Sequence, residues 1–278
     1  MRISKKATGR LALVVGAIAG VLSPAQSKAA IIGIDFFGGG GSGASTQMGA
    51  GETAGVIPAS NWNSFTPNIQ ATPQPLKDST GGATTANVTW NSNNTWNAPN
   101  TPAVAPGDLN MMKGYLDSSD TSTTNVLVTG LPSSITSAPY SVILYFDGDN
   151  GGSERVGMYS ITGAATGNAV FWARDAANST FSGTYIAAQS PVDPLTFGGG
   201  IDSNAPAALT MPAGNFMVFT GLTGDTFNLL AQSSVSSDGT NRSSVQGIQI
   251  VSGTVPEPSG LIVLAAGGLA MLRRKRRQ

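Results

Sequence analysis

The sequence predicts an all-β chain: an antiparallel β-sandwich flanked by a short N-terminal signal helix and a short C-terminal hydrophobic helix. Three observations carry this. No stretch of twelve or more residues places apolar side chains at helical spacing without an interrupting Gly or Pro. Short runs of β-branched and aromatic residues recur through the middle of the chain. Clusters of Gly, Asn, Asp, Ser and Pro separate them every ten to fifteen residues, as turns between antiparallel strands do. Strands without helices bury their apolar faces by packing sheet on sheet.

Taken in order, the strand signals are 31–37 (IIGIDFF), 86–90 (ANVTW), 125–128 (NVLV), 140–146 (YSVILYF), 156–161, 169–173, 184–187, 216–220, 227–231 and 245–251. The eight residues 132–139 between the third and fourth suit a corner of the sandwich. Residues 221–226, between 216–220 and 227–231, read as a hairpin loop. In 245–251 the residues Ile248 and Ile250 alternate with Gln246 and Gln249, which predicts one core face and one wet face. Residues 66–106, rich in Asn, Thr and Pro, read as long surface loops around 86–90. Gly38 to Gly41 precede neither a Lys nor a helix, so they are read as a flexible loop and not a phosphate cradle.

The chain holds 278 residues, with fifteen Lys or Arg, fifteen Asp or Glu, and no His or Cys. The charges are segregated. Arg2, Lys5, Lys6, Arg10 and Lys28 lie at one end, and Arg273, Arg274, Lys275, Arg276 and Arg277 at the other. The body, 30–254, keeps five cations against fourteen acids, a net charge of −9, which excludes a nucleic acid partner. Without His or Cys, no Ser-His-Asp or Cys-His machinery, thiolate or imidazole zinc site, or disulfide can be built.

Both ends read as addresses. After the basic start, residues 11–22 (LALVVGAIAGVL) form an apolar run too short for a bilayer span of about 20 residues but suited to a secretory signal. Pro24 then breaks the helix, and Ser27, Lys28 and Ala29 form a small-residue cleavage site, making 1–29 a signal peptide; the alternative is an uncleaved anchor. At the other end Pro256, Glu257 and Pro258 precede the uncharged run 259–272 and five terminal cations. Such a run stalls in the membrane with its cations on the cytoplasmic side. The prolines keep the tripeptide extended and open to a protease.

This three-part tail, 255–278, resembles the PEP-CTERM sorting signal, with Pro256, Glu257 and Pro258 as its motif. The resemblance implies transient insertion of the C-terminal helix in the inner membrane, removal of the tail by an exosortase-type membrane protease after signal peptidase has acted, and a final place at the cell surface or outside the cell. An ordinary single-pass anchor is the alternative. It also implies bacteria that build extracellular polysaccharide, the expected partner. The body, 30–254, resembles the jelly-roll layout of galactose-binding-like and lectin-like domains, with an early strand and a last strand just before the tail.

Within the body, Asp147, Asp149 and Asn150 stand in an acidic, Gly-rich loop (147–154, DGDNGGSE) of the kind that can surround calcium, although it misses the EF-hand spacing; a solvated turn is the competing reading. Asp117 and Asp120 read as a turn. Trp62 and Trp96, in Asn-rich stretches, are the candidates for stacking on a sugar ring, whereas Trp90 and Trp172 sit in strand patterns and are expected in the core. Catalysis would need a carboxylate pair. Glu52 and Glu154 are the only glutamates of the body, and nothing in the sequence selects a pair. The expectation is a non-enzymatic surface or matrix protein, structural or carbohydrate-contacting, with no cofactor apart from calcium at this loop. The competing reading is a secreted carbohydrate-active enzyme.

Overall fold

The computed structural model describes residues 29–39, 47–99, 105–165, 169–175, 177–191, 211, 213–253 and 255. In chain order its elements are β1 (Ile31–Phe36), β2 (Asn63–Phe65), β3 (Ile69–Lys77), β4 (Ala83–Asn91), β5 (Asn94–Asn97), α1 (Pro106–Lys113), β6 (Gly114–Asp117), β7 (Thr123–Thr129), α2 (Ser133–Thr136), β8 (Tyr140–Tyr145), β9 (Arg155–Thr162), β10 (Ala169–Asp175), β11 (Ala213–Gly214), β12 (Phe216–Leu222), β13 (Phe227–Ser236), β14 (Ser244–Val245) and β15 (Gly247–Val251). The signal peptide 1–29, apart from its last residue, and the expected C-terminal helix lie outside the described residues. Among those described, no helix is long and apolar enough to cross a membrane.

Two sheets face each other. One has five strands in the order β12-β8-β15-β1-β2, the other seven in the order β11-β10-β9-β13-β7-β4-β3. Pairing is antiparallel except at β1–β2 and β10–β11, where an edge strand joins in parallel. The common core takes Ile32, Ile34 and Phe36 of β1, Val142 and Leu144 of β8, and Ile248 and Ile250 of β15 from the first sheet. The second gives Val88 and Trp90 of β4, Val126 and Val128 of β7, Tyr159 and Ile161 of β9, and Phe227 and Leu229 of β13. At the open edge Asn63 ties the sheets together. Its Nδ2 donates to the carbonyls of Gly33 (2.8 Å) and Lys77 (2.9 Å), while its Oδ1 accepts the Lys77 N–H.

The sheets differ in what covers them, and their sequences show why. Strand β7 alternates buried and half-buried residues, so the seven-stranded sheet has a wet outer face. Strands β1, β8 and β15 are buried at every residue, as continuous apolar runs such as YSVILY require. A second apolar cluster covers the outer face of the five-stranded sheet. In it Met48, Ala54, Ala59 and Trp62, Met111 and Met112 of α1, and Phe181 pack on Ile31, Ile143, Tyr145, Phe216 and Val218.

Several expectations are corrected by this arrangement. The 245–251 segment has no wet face, because Gln246 and Gln249 are both fully buried. Gln249 accepts from the Tyr145 hydroxyl (2.9 Å) and donates to the Ile57 carbonyl (2.6 Å), while the Gln246 amide donates to the Asp147 carbonyl and its own oxygen is buried without a partner. The pair 216–220 and 227–231 is not a hairpin: β12 pairs with β8 in one sheet and β13 with β7 and β9 in the other, so 223–226 is a crossing between sheets. The corner at 132–139 is as expected and carries α2. Segment 184–187 makes only an isolated bridge, Ala187 to Phe216. The stretch 66–106 holds β3 and β5 besides β4.

Tyr145 pins the cover to the sheet, its hydroxyl accepting the Val56 N–H (2.8 Å) while donating to Gln249. The Tyr140 hydroxyl is buried without a partner. Tyr145→Phe strands a buried donor and acceptor and is expected to cost about 1–3 kcal/mol, whereas Tyr140→Phe is expected to be neutral or mildly stabilising. Thermal unfolding of the two variants checks the contrast, and equal losses would contradict it.

Candidate functional site

A small third sheet, β14-β6-β5, sits at one end of the sandwich and builds the site. Strand β5 pairs with β6 so that Trp96 stands opposite Tyr115 and Asn94 opposite Asp117. The two-residue period of each strand turns these four side chains to one face. The loop following β8 brings Asp149 to them, β9 brings Arg155, and the segment before β14 brings Thr240 and Arg242. Together they line a cleft of about 180 Å³.

Its polar groups are held in place. The Trp96 indole N–H points at Asp149 Oδ2 (3.4 Å), and the Asp149 N–H donates to the Tyr115 hydroxyl (3.0 Å). Arg242 pairs with Asp117 (3.1 Å) and Arg155 with Asp238 (3.4 Å). Arg242 also donates to the Ser118 carbonyl, which fixes the plane of its guanidinium. Burial raises the Asp117 carboxyl to about 6, against the pull of Arg242 and Arg155. An indole half-buried on one wall, two guanidiniums and two carboxylates suit a polyhydroxylated ring that presents an apolar face and hydrogen-bonding edges.

Beneath the cleft lies a carboxylate pair. Asp147 and Asp175 are 2% and 6% exposed. The Gly148 N–H donates to Asp175 Oδ2 (2.7 Å), and one further oxygen of each carboxyl has no partner. Burial pushes both carboxyls up, and for Asp147 the neighbouring Asp175 adds to it. Two carboxylates in contact cannot both stay ionised in a dry site, so a proton or a cation accompanies them.

The structure thus sorts the sequence candidates. Trp96 lines the cleft. Trp62 does not meet the expectation of stacking on a sugar: it is 7% exposed, its N–H donates to the Ala59 carbonyl (2.9 Å), and its ring lies so close to Gly33 that a Cβ there would stand 2.6 Å from it. Both sides of that indole are taken by the protein. Trp90 is core as expected, while Trp172 is half-buried. The acidic loop divides. Asp147 and Asn150 turn inward, and Asp149 turns out to Trp96, so the three do not converge. Asp147 is not a solvated turn residue, because the strand it leaves is covered on both faces. Glu154 is paired with Arg174 (3.1 Å), and Glu52 accepts from Asn110 and the Gly49 N–H. Pro256, Glu257 and Pro258 lie outside the described residues. Asp117, expected in a turn, is instead the buried last residue of β6 and lines the cleft, and the sequence reading singled out none of Asp175, Tyr115, Arg155 and Arg242. A signal existed, since the body keeps only three arginines and two of them line this cleft.

Comparison of the chain with protein-family models, with curated proteins and with solved structures finds no match in any of the three.

Buried acids give the stability a sign with pH. Burial raises Asp35, fully enclosed under the cover of the five-stranded sheet, well above its ordinary 3.8, and Asp117 to about 6. The unfolded chain releases these protons near 3.8, whereas the folded chain keeps them to higher pH. Stability therefore falls as pH rises from about 4 through 6, and the Asp35 contribution extends the fall upward. Thermal midpoints are expected to be lower at pH 7 than at pH 4.5, with part of the difference removed in Asp35→Asn. A midpoint that rises across this window would contradict the assignment.

Proposed function

We propose that this chain is an exported cell-surface or extracellular-matrix protein whose β-sandwich contacts polysaccharide through the Trp96 cleft, after its C-terminal sorting signal has been processed. The observation that carries the binding half is the cleft itself: a half-buried indole facing Tyr115, Arg155 and Arg242, with Asp149 and Asp117 as acceptors. At about 180 Å³ the cleft falls below the roughly 300–1,000 Å³ of drug-sized pockets and suits one sugar ring of a longer chain running across it. Two guanidiniums favour a ring bearing a carboxylate or sulfate, since Arg can donate to two oxygens of either group at once.

Support for export comes from the sequence: basic, apolar and small-residue segments in order at the start, and Pro256, Glu257, Pro258, an apolar run and five cations at the end. Signal peptidase and an exosortase-type membrane protease are the processing partners in this reading, and the C-terminal helix is a passing occupant of the inner membrane. The jelly-roll reading of the sandwich is supported by the pairing of β1 with β15, which sets the beginning and end of the body side by side.

The competing reading, a carbohydrate-active enzyme, draws on Asp117, a carboxyl raised by burial that lines the same cleft as a second carboxyl, Asp149. One experiment separates them: an array of neutral, uronate-bearing and sulfated polysaccharides, read for binding and for released reducing ends. Binding without release, weakened about tenfold or more in Trp96→Ala, about 1.4 kcal/mol, is the expected result. Release lost in Asp117→Asn would carry the enzyme reading, and binding unchanged in Trp96→Ala would remove the cleft from the function. For sorting, mass spectrometry of the exported material is expected to find neither Met1 to Lys28 nor the tail from Arg273. Mature protein retaining that tail would refute the processing step.

A further inference from the structure

Among the described residues, the charged side chains on the cleft wall are Asp117 and Asp149 against Arg155 and Arg242. Arg242 and Asp117 meet at 3.1 Å, and the arginine is the open member of the pair, 33% of its side chain being exposed against 11% for Asp117. An oxyanion that reaches Arg242 from the cleft therefore arrives beside the Asp117 carboxylate and competes with it for one guanidinium. Like charges at that spacing repel, and a buried carboxylate relieves the repulsion by taking up a proton. Arg242 keeps its place meanwhile, because its Nη1 also donates to the Ser118 carbonyl (3.1 Å). Two guanidiniums against two carboxylates leave the wall neutral. A proton on Asp117 leaves it one positive charge, the complement of one acidic group on a sugar ring.

Building on the saccharide reading of the cleft, we propose that it takes up an acidic ring together with a proton on Asp117, which makes this carboxyl the residue that decides the charge of the saccharide accepted. The surroundings of Asp117 single it out. Tyr115 faces it from its own strand, Arg155 and Tyr159 from β9, Arg242 from the segment before β14, Asp175 from β10 and Asp149 from the loop after β8, while β5 presents the uncharged Asn94 and Trp96. Burial raises both phenols far above their ordinary range, so both stay neutral. Asp175 lies on the inner side, outside the cleft lining, with its Oδ2 held by the Gly148 N–H. Asp149 is turned to the Trp96 N–H. Arg155 is matched by Asp238, which leaves Arg242 as the cation an oxyanion can take from its partner. Burial already brings the Asp117 carboxyl to about 6 against the pull of Arg242 and Arg155, close enough to neutrality for an incoming anion to tip it. The proton comes from solvent and returns there on release. A neutral ring brings no charge against Asp117 and takes up no proton.

The test uses the full-length chain at about 0.15 M salt, where the distant charges of the acidic body are screened. Dextran sulfate and unsulfated dextran of equal length are the probes, since sulfate esters stay ionised throughout the range. With the protonated form as the binding form, the Kd for dextran sulfate should be about tenfold weaker at pH 7 than at pH 5. Calorimetry in buffers of different ionisation heat should count about one proton taken up at pH 7. Dextran should show neither effect, and Asp117→Asn should bind dextran sulfate as tightly at pH 7 as the unaltered chain does at pH 5. A Kd that is flat with pH, or a slope retained in Asp117→Asn, which would place the proton on Asp175, overturns the proposal; the cleft reading survives that outcome if Trp96→Ala still weakens binding. Dextran sulfate bound at neither pH, or equally well by Trp96→Ala, would remove the cleft reading and the proposal together. Should Asp117→Asn fail to fold, the proton count on the unaltered chain decides alone.

Discussion

Strand β8 is covered on both faces, and the rest of the molecule follows from that constraint. On one side Val142 and Leu144 meet the seven-stranded sheet; on the other Ile143 and Tyr145 lie under the cover that holds Met111, Trp62 and Phe181. A chain leaving such a strand does not reach water at once. Phe146 is still core, and Asp147, the first polar residue, is therefore buried although its sequence context is that of a loop. Burying a carboxylate without a cation is unfavourable, and the neighbouring Asp175 at the end of β10 raises the Asp147 carboxyl further, which favours its protonated form. Only at Asp149 does the chain turn outward, and there it meets Trp96.

The two layers of the site are thus one consequence. Asp147 and Asn150 face the interior, Asp149 faces the cleft, and Gly148 between them has no side chain because three oxygens crowd the place where it would stand. The small sheet supplies the opposite wall. Strand β6 carries Tyr115 and Asp117 to it while β14 carries Ser244 to the inner layer. An acidic body that retains few cations has spent two arginines here, each oriented by its own carboxylate and so preset for an incoming oxyanion.

Much of the fold was legible because strand signals are local. Alternation in NVLV and continuity in YSVILYF were both visible, and the second already marks a strand buried from two sides. The strands missed are those whose residues carry no such signal: β3 contains Thr, Gln and Pro because it is an exposed edge, and β5 is four polar-rich residues stabilised by pairing with β6. The cover over the five-stranded sheet was illegible for a different reason. Its wetness was inferred from Gln246 and Gln249, and only the tertiary contacts of Gln249 to Ile57 and Tyr145 and of Gln246 to the Asp147 carbonyl reveal that these amides are held inside. In the site, Trp96 and Asp147 were readable as residue types, but the partnership of Asp147 with Asp175, across twenty-eight positions of sequence, depends on how β8 and β10 end at the same rim, and no spacing rule contains it.

Amide hydrogen exchange along 140–153 tests the controlling constraint most directly. The Gly148 N–H is held by Asp175 and the Asn150 N–H by the Asn178 carbonyl, while Gly151 and Gly152 are exposed. If β8 draws its following loop into the interior, the amides of Gly148 and Asn150 exchange as slowly as those of β8, and protection ends abruptly at Gly152. Fast exchange starting at Asp147 would show an open, solvated hairpin, and both the buried carboxylate pair and the wall it gives the cleft would have to be abandoned.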